Sequence, residues 1–372
     1  MKLSVIFVSL VALSGTALCL PRFSLLTGMQ CVNCHANPTG GELRNSFGGS
    51  DFVDDHLRLI PAHGDSTDYN FNPQLNDYIR LGGDIRFQYL YDGSQRKTTF
   101  QSMEGSIYSL LQLFTSTDLF IRYDFANPNY PYEAYGKYKF NSDNSYIKVG
   151  AFEPSYGIRL DDHTAYTRGG NFGFLQGIPQ VGLFFSPDYW DVGVEVGSRF
   201  GDLFITADAT NGSGLSTIDF ASRKALIGKV EYLMKGNFML GASGYTSGKT
   251  SMFGLQAGTG IGKRLTILGE WDLTDFLPGV PDTLGRSYGN TKSTAGLVEA
   301  TYFLMNGLSA TARFDYFRTV IGGPIYERYI IGADVYPIPH IDIMPQARFN
   351  LDNITHGRVP IVEALLQSHI YF

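Results

Sequence analysis

The sequence predicts an all-β protein: a membrane-spanning antiparallel barrel of about sixteen strands, preceded by a short N-terminal segment of different character. Three observations carry this. From residue 79 onward apolar and polar residues alternate, the period of a strand with two unlike faces. After the N-terminus no run reaches the roughly 20 consecutive apolar residues that a membrane helix needs. The chain closes on Val362, Ala364, Leu366, Ser368, Ile370 and Phe372, one apolar face ending in a terminal phenylalanine.

Composition agrees. The 372 residues hold 43 Gly, 27 Phe and 23 Tyr against 2 Trp, with 17% charged residues and a net charge of -6 in mixed sign along the chain. That balance carries no nucleic-acid footprint. The length suits one large barrel. No catalytic triad, phosphate-binding loop or paired-carboxylate motif stands out, so a conventional enzyme fits poorly.

Residues 1–19 read as a secretory signal: Lys2, an apolar run from Leu3 to Leu13, then Ser14, Gly15, Thr16 and Ala17. Residues 20–76 form a segment too small to build a substantial core alone. Within it Asn37-Pro38-Thr39-Gly40-Gly41 is turn chemistry, and a short helix is expected over Glu42 to Phe47, ended by Gly48-Gly49.

Residues 77–372 carry the alternation. Ile85, Phe87, Tyr89 and Tyr91 interleave with Asp84, Arg86 and Gln88; Leu119, Ile121, Tyr123 and Phe125 with Asp118, Phe120, Arg122 and Asp124. The pattern recurs at Val192 to Val196, at Leu265 to Trp271 and at Tyr329 to Val335. A soluble sandwich also alternates, but strands of about 8 to 12 residues suit a tilted membrane span. Aromatics at strand ends, as at Tyr89, Tyr91, Phe125, Phe314 and Tyr316, suit interfacial girdles. Sixteen is chosen over seventeen because single-chain bacterial barrels use even numbers. Glu153 to Gln180 is the least strand-like interval, a long external loop or a constriction folding inward. A second long loop is expected over Leu277 to Lys292.

The stretch that carries chemistry is Cys31-Val32-Asn33-Cys34-His35. Two thiols three positions apart, with a histidine after the second, match the attachment pattern of c-type haem. Each thiol adds to one vinyl group, and His35 is placed to ligate the iron as proximal ligand. Two other readings stand beside it: a zinc site completed by His56 and His63, or a dithiol redox centre.

Pro21 and Phe23, Thr27 and Gly28, the Cys31 to His35 motif, Pro38, and the Leu43 to Gly48 element, joined to a barrel, together resemble the fused monohaem cytochrome-porins of bacterial outer membranes. The best known of these come from iron-oxidising bacteria. The chain departs from them after Gly48, where it has Gly49, Ser50, Asp51 and Phe52. The resemblance implies one covalent haem c in a barrel lumen, an extracellular redox partner that includes Fe(II), a periplasmic electron carrier, and outer-membrane lipid around the barrel. For the second axial position, His56 and His63 lie on the same segment; Met344 and His369 face the lumen by alternation, and Met29 is too close in sequence to fold back. Arg44 is a candidate for a haem propionate. Asp51, Asp54 and Asp55, and separately Asp161, Asp162 and His163, are acidic groupings that suit a hard cation or solvent. A plugged porin for small solutes, with a sensory or structural haem or metal site, is the alternative function.

Overall fold

The computed structural model describes residues 21–59, 71–93, 95–126, 132–140, 145–160, 162, 164–170, 182–183, 185, 187, 189–212, 214, 224–234, 237–248, 250–275, 292–318, 325–352 and 361–372. The expected signal segment, His63, Asp161, His163 and all but the last residue of the Leu277–Lys292 loop lie outside them.

The strands are β1 (Ile79–Asp92), β2 (Lys97–Phe114), β3 (Thr117–Asp124), β4 (Tyr132–Lys139), β5 (Tyr146–Phe152), β6 (Asp191–Phe200), β7 (Leu203–Thr210) and β8 (Ala225–Met234). They continue as β9 (Phe238–Ser247), β10 (Thr250–Ile261), β11 (Leu265–Asp275), β12 (Ser293–Met305), β13 (Leu308–Arg318), β14 (Ile325–Val335), β15 (Ile341–Asp352) and β16 (Ile361–Tyr371). Each pairs antiparallel with the next, and β1 pairs with β16 to close a sixteen-stranded barrel. Closure leaves no edge, which a strand structure in hydrocarbon requires. β2, at 18 residues, exceeds the length expected from sequence. A bulge between Arg86 and Phe87 shifts its register with β1, and such an extra residue lets a strand bend and run on.

The alternation sorts the side chains as the sequence predicts. Phe87, Ile121, Val196, Ile331 and Leu366 face outward and exposed, whereas Arg86, Gln88, Asp124, Glu195 and Arg328 are buried in the lumen. A polar outside would be costly in lipid, and lumen charges avoid that cost by pairing with one another. Lys148 Nζ lies 2.7 Å from Glu195 Oε1. Lys137 Nζ lies 3.2 Å from Asp118 Oδ2. Exposed aromatics crowd both rims: Tyr91, Phe100 and Phe125 at one end, and Phe114, Phe140, Phe200 and Phe372 at the other.

The second rim is the end of the short turns, which in bacterial barrels faces the periplasm, and the N-terminal segment enters the lumen there. Helix α1 (Pro21–Thr27) lies against β10 and β11. Its Leu25 is wholly buried among Leu233, Met239, Leu268 and Leu297 of the wall. A Cβ at Gly258 would lie 2.5 Å from Leu25, and one at Gly260 would collide with the Leu25 carbonyl. Two glycines thus make the seat for the helix. Arg22 donates to Asp334 at 3.1 Å, and Asn237 donates to the Leu26 carbonyl at 3.1 Å.

The helix expected over Glu42 to Phe47 lies further along. Arg44 instead bridges back to His35 as antiparallel β structure, and a π-helical turn over Phe47–Asp51 leads into α2 (Phe52–His56). Gly48 and Gly49 lie inside that turn, buried, and do not end a helix. The reason is contact: a Cβ on Gly48 would strike the Cys34 backbone, and one on Gly49 would lie 2.9 Å from Pro73.

Two variants test this arrangement. Gly260→Val should displace α1 from its seat, read as faster protease cleavage between residues 21 and 59 with the barrel intact. Ile331→Arg, near the middle of β14, should cost about 2–4 kcal/mol in a lipid-refolding titration.

Candidate functional site

The cysteine motif is a tight turn. The Cys34 and His35 amides donate to the Cys31 carbonyl at 3.1 and 3.0 Å, and the residues Cys31–Asn33 form one turn of 3-10 helix. Asn45 clasps it. Its Nδ2 donates to the Asn33 carbonyl at 2.8 Å and the Val32 carbonyl at 3.3 Å, its Oδ1 accepts from the Gly48 amide at 2.9 Å, and its own amide donates to the Cys34 carbonyl at 2.7 Å. Ala36 N–H donates to the Leu43 carbonyl at 2.9 Å, completing a short hairpin. Lys137 of β4 donates to the Ala36 carbonyl at 2.5 Å and ties that hairpin to the wall.

Two adjoining cavities meet at this turn. Pro21, His35, Arg44, Arg159 and Leu160 line both; Cys34 lines the first and Cys31 the second. The two thiols are not joined to each other. Cβ atoms on Gly40 would crowd Cys31 Sγ at 3.3 Å, so glycine leaves the sulfur room to react. Two unjoined thiols and an adjacent imidazole on the cavity wall are the donor set that a covalently attached haem requires. Among the described residues no three His, Cys, Asp or Glu side chains gather as a metal-binding group, and Asp54 is paired with Arg58 at 2.6 Å.

The sequence candidates separate. His35, Met344 and His369 line the first cavity together. His56 is exposed on the rim, where its carbonyl accepts from the Gly307 amide and its ring meets Phe52 edge-on at 5.0 Å. It lies outside the linings of both cavities, which parts it from the motif. Met29 is buried among Phe23, Cys34 and Phe52. Arg44 is no solvated surface arginine: it sits 3.6 Å from Asp84 and over the Tyr371 ring at 4.1 Å.

The interval after β5 folds inward. The Gly157 amide donates to Ser243 Oγ at 2.9 Å and the Ile158 amide to Glu270 at 2.8 Å, while Arg168 donates to Glu270 at 2.7 Å. Asp162 pairs with Arg313 at 2.6 Å, so this acid faces the lumen and not the exterior. Burial opposes its ionisation, but Arg313 and Arg348 hold its carboxyl well below the usual range. Further out, Tyr156, Tyr166, Phe185 and Tyr189 pack with wall residues Tyr245, Met252 and Phe317 into an aromatic layer across part of the lumen.

Sequence reasoning missed a cluster beside the second cavity. Glu42 accepts from Asn37 at 3.1 Å and from Tyr135 at 2.8 Å. Arg159 donates to Glu153 and lies 3.8 Å from Glu42; the Glu153 amide donates to Glu133 at 3.1 Å. Three carboxylates thus gather around Arg159, with Arg122 pairing Glu133 at 3.0 Å on the far side. Burial pushes the Glu42 carboxyl up to about 7, helped by Glu133 and opposed by Arg159. Burial pushes Glu153 up to about 8, opposed by Arg159 and helped by Glu133 and Glu42. Nothing in the spacing of Glu42, Glu153 and Arg159 links them; only the inward fold of the loop does.

No family model matches the chain, and no curated protein matches its sequence. Solved structures do resemble it. Salmonella typhi OmpF in complex with daunomycin aligns at a TM-score of 0.58 with 15% identity, over 79% of this chain and 97% of that one. The outer membrane channel DcaP of Acinetobacter baumannii aligns at 0.55 with 13% identity, over 79% and 97%. OmpT of Vibrio cholerae, expressed in the outer membrane, aligns at 0.55 with 12% identity, over 81% and 100%. The fold is that of a porin barrel.

Two outcomes follow. Asn45→Ala should cost about 1–3 kcal/mol locally, read as about fivefold or more faster labelling of the Cys34 thiol in unmodified protein. Glu42 and Glu153 hold protons more tightly when docked than the ordinary value of 4.5 allows. Docking is therefore strongest below the ordinary value of 4.5, weakens progressively as pH rises from there to about 7 to 8, and levels off above. Limited proteolysis of the N-terminal segment should accelerate over that window, and Glu153→Gln should flatten the profile.

Proposed function

We propose that this chain is an outer-membrane electron-transfer protein: one c-type haem, bound covalently by Cys31 and Cys34 and ligated by His35, lies within the barrel. Electrons pass between an extracellular redox substrate, Fe(II) among the candidates, and a soluble periplasmic carrier. The observation that carries this reading is a Cys-x-x-Cys-His turn on the wall of a cavity inside a membrane-spanning barrel. When bound, the haem supplies one-electron chemistry at a potential set by its ligands and burial.

The residues of the chain supply the rest. Asn45 and Gly48 fix the turn that presents both thiols. Arg44, Arg86 and Arg159 bring cationic forks to the cavity walls, suited to the carboxylates of a porphyrin. Arg44 is already held by Asp84, so a propionate there would share its guanidinium. The inward loop and α1 fill lumen space that water would occupy, which supports a redox site shielded from solvent. The N-terminal segment lies at the end of the short turns, the side from which a periplasmic carrier would approach.

A second reading, a plugged porin that passes small solutes, has the likeness to channel proteins in its favour. The two separate by experiment. In protein made in a host able to attach c-type haem, the conduit reading expects a sharp reduced alpha band and haem staining that survives denaturation. Both should be lost in Cys31→Ala/Cys34→Ala. Vesicles carrying the protein should oxidise an external donor at the expense of an enclosed acceptor, with little ion conductance. Open conductance and no covalent haem would leave the porin reading.

A further inference from the structure

We infer that His369 completes the haem site as the second axial ligand, with Asp84 as the carboxylate that orients it. The inference rests on the haem reading above and gives that site its sixth ligand.

Four histidines fall among the described residues: His35, His56, His340 and His369. His56 is on the rim. His340 takes the Phe71 amide at its Nε2, 3.4 Å away, and packs between Phe71 and Tyr371 outside the cavity lining. His369 alone shares the cavity with His35.

Its setting is that of a ligand. His369 Nε2 lies 2.7 Å from Asp84 Oδ1, the pair being buried at the seam where β1 meets β16. Histidines that bind metals commonly give one ring nitrogen to a carboxylate, which fixes the ring and leaves the other nitrogen for the metal. The ring is further held against Tyr371, at 5.2 Å between centroids. Distance to the motif is set by a continuous set of contacts. Asp84 also lies 3.6 Å from Arg44, and Arg44 is the residue that bridges to His35 across the hairpin. Asp84 therefore holds His369 directly and reaches the cysteine hairpin through Arg44.

Met344, the other lumen candidate, stands opposite Gln367, one inward-facing position farther from the short-turn end than His369. A thioether there would raise the potential relative to a second imidazole, so the two assignments predict different spectra as well as different mutants.

The test uses the full chain, haem-loaded and purified in detergent, with heat-modifiable gel mobility as the check on barrel folding. Electron paramagnetic resonance of the oxidised wild type needs no variant: a low-spin signal of the bis-imidazole type is expected, and a thioether-type or high-spin signal overturns the assignment. His369→Ala should turn the iron high-spin and open the ferrous form to rapid carbon monoxide binding. His369→Met should keep it low-spin at a raised potential, while Met344→Leu should leave the spectrum unchanged. Asp84→Asn should keep six-coordination and shift the potential. Wild-type spectra persisting in His369→Ala overturn this assignment alone. Wild-type protein without covalent haem overturns the haem reading and this assignment with it.

Discussion

Everything in this molecule depends on the pairing of its first strand with its last. Backbone amides and carbonyls in hydrocarbon have no water to bond, so sixteen strands are tolerable there only because β1 and β16 close the ring through nine residue pairs, Asp84↔Tyr371 to Asp92↔Glu363. Closure in turn creates an inside, and the inside is where the sequence spends its charge. Arg122 alone reaches Glu104, Glu133 and Asp124 at 3.1, 3.0 and 3.8 Å. Such buried pairs add little net stability over apolar packing; what they supply is a lumen that stays polar while the outer surface does not.

The N-terminal segment exploits that polar wall and also departs from it. Its anchors are of two kinds: apolar side chains seated on glycines, as Leu25 is on Gly258 and Gly260, and ionic links, as Arg22 to Asp334 and Arg44 to Asp84. The first kind fixes position through shape. The second ties docking to the protonation of the lumen, most directly where Glu42 meets Glu133 of the wall and Arg159 of the inward loop.

The barrel was legible in the sequence because a two-residue period between lipid and lumen leaves a mark on every strand; Phe87 beside Arg86 and Gln88 is enough to orient β1. The cysteine turn was legible because its chemistry is local. What was not legible is whatever depends on residues distant in sequence. The helix expected at Glu42–Phe47 failed because tertiary contact between Gly48 and Cys34 outweighed the usual role of paired glycines as helix terminators. His56 resembled a ligand on sequence proximity, yet the chain carries it to the rim, while His369, more than 330 residues from the motif, is carried into the cavity with it. Whether the loop that holds Asp162 faces outward or folds inward was open in the sequence; its pairing with Arg313 turns it inward.

The contact of Arg44 with both Asp84 of β1 and Tyr371 of β16 has a consequence for biogenesis. The residues around the cysteine turn are made first, but their seat straddles the two strands that meet last, and so does not exist until the chain is complete. Until the ring closes, this part of the seat is missing and the turn is more open to solvent, with both thiols within reach. Full docking of the turn then reports that the ring has closed: a barrel stalled one strand short would still hold α1 on β10 and β11 yet lack the Tyr371 half of the Arg44 seat.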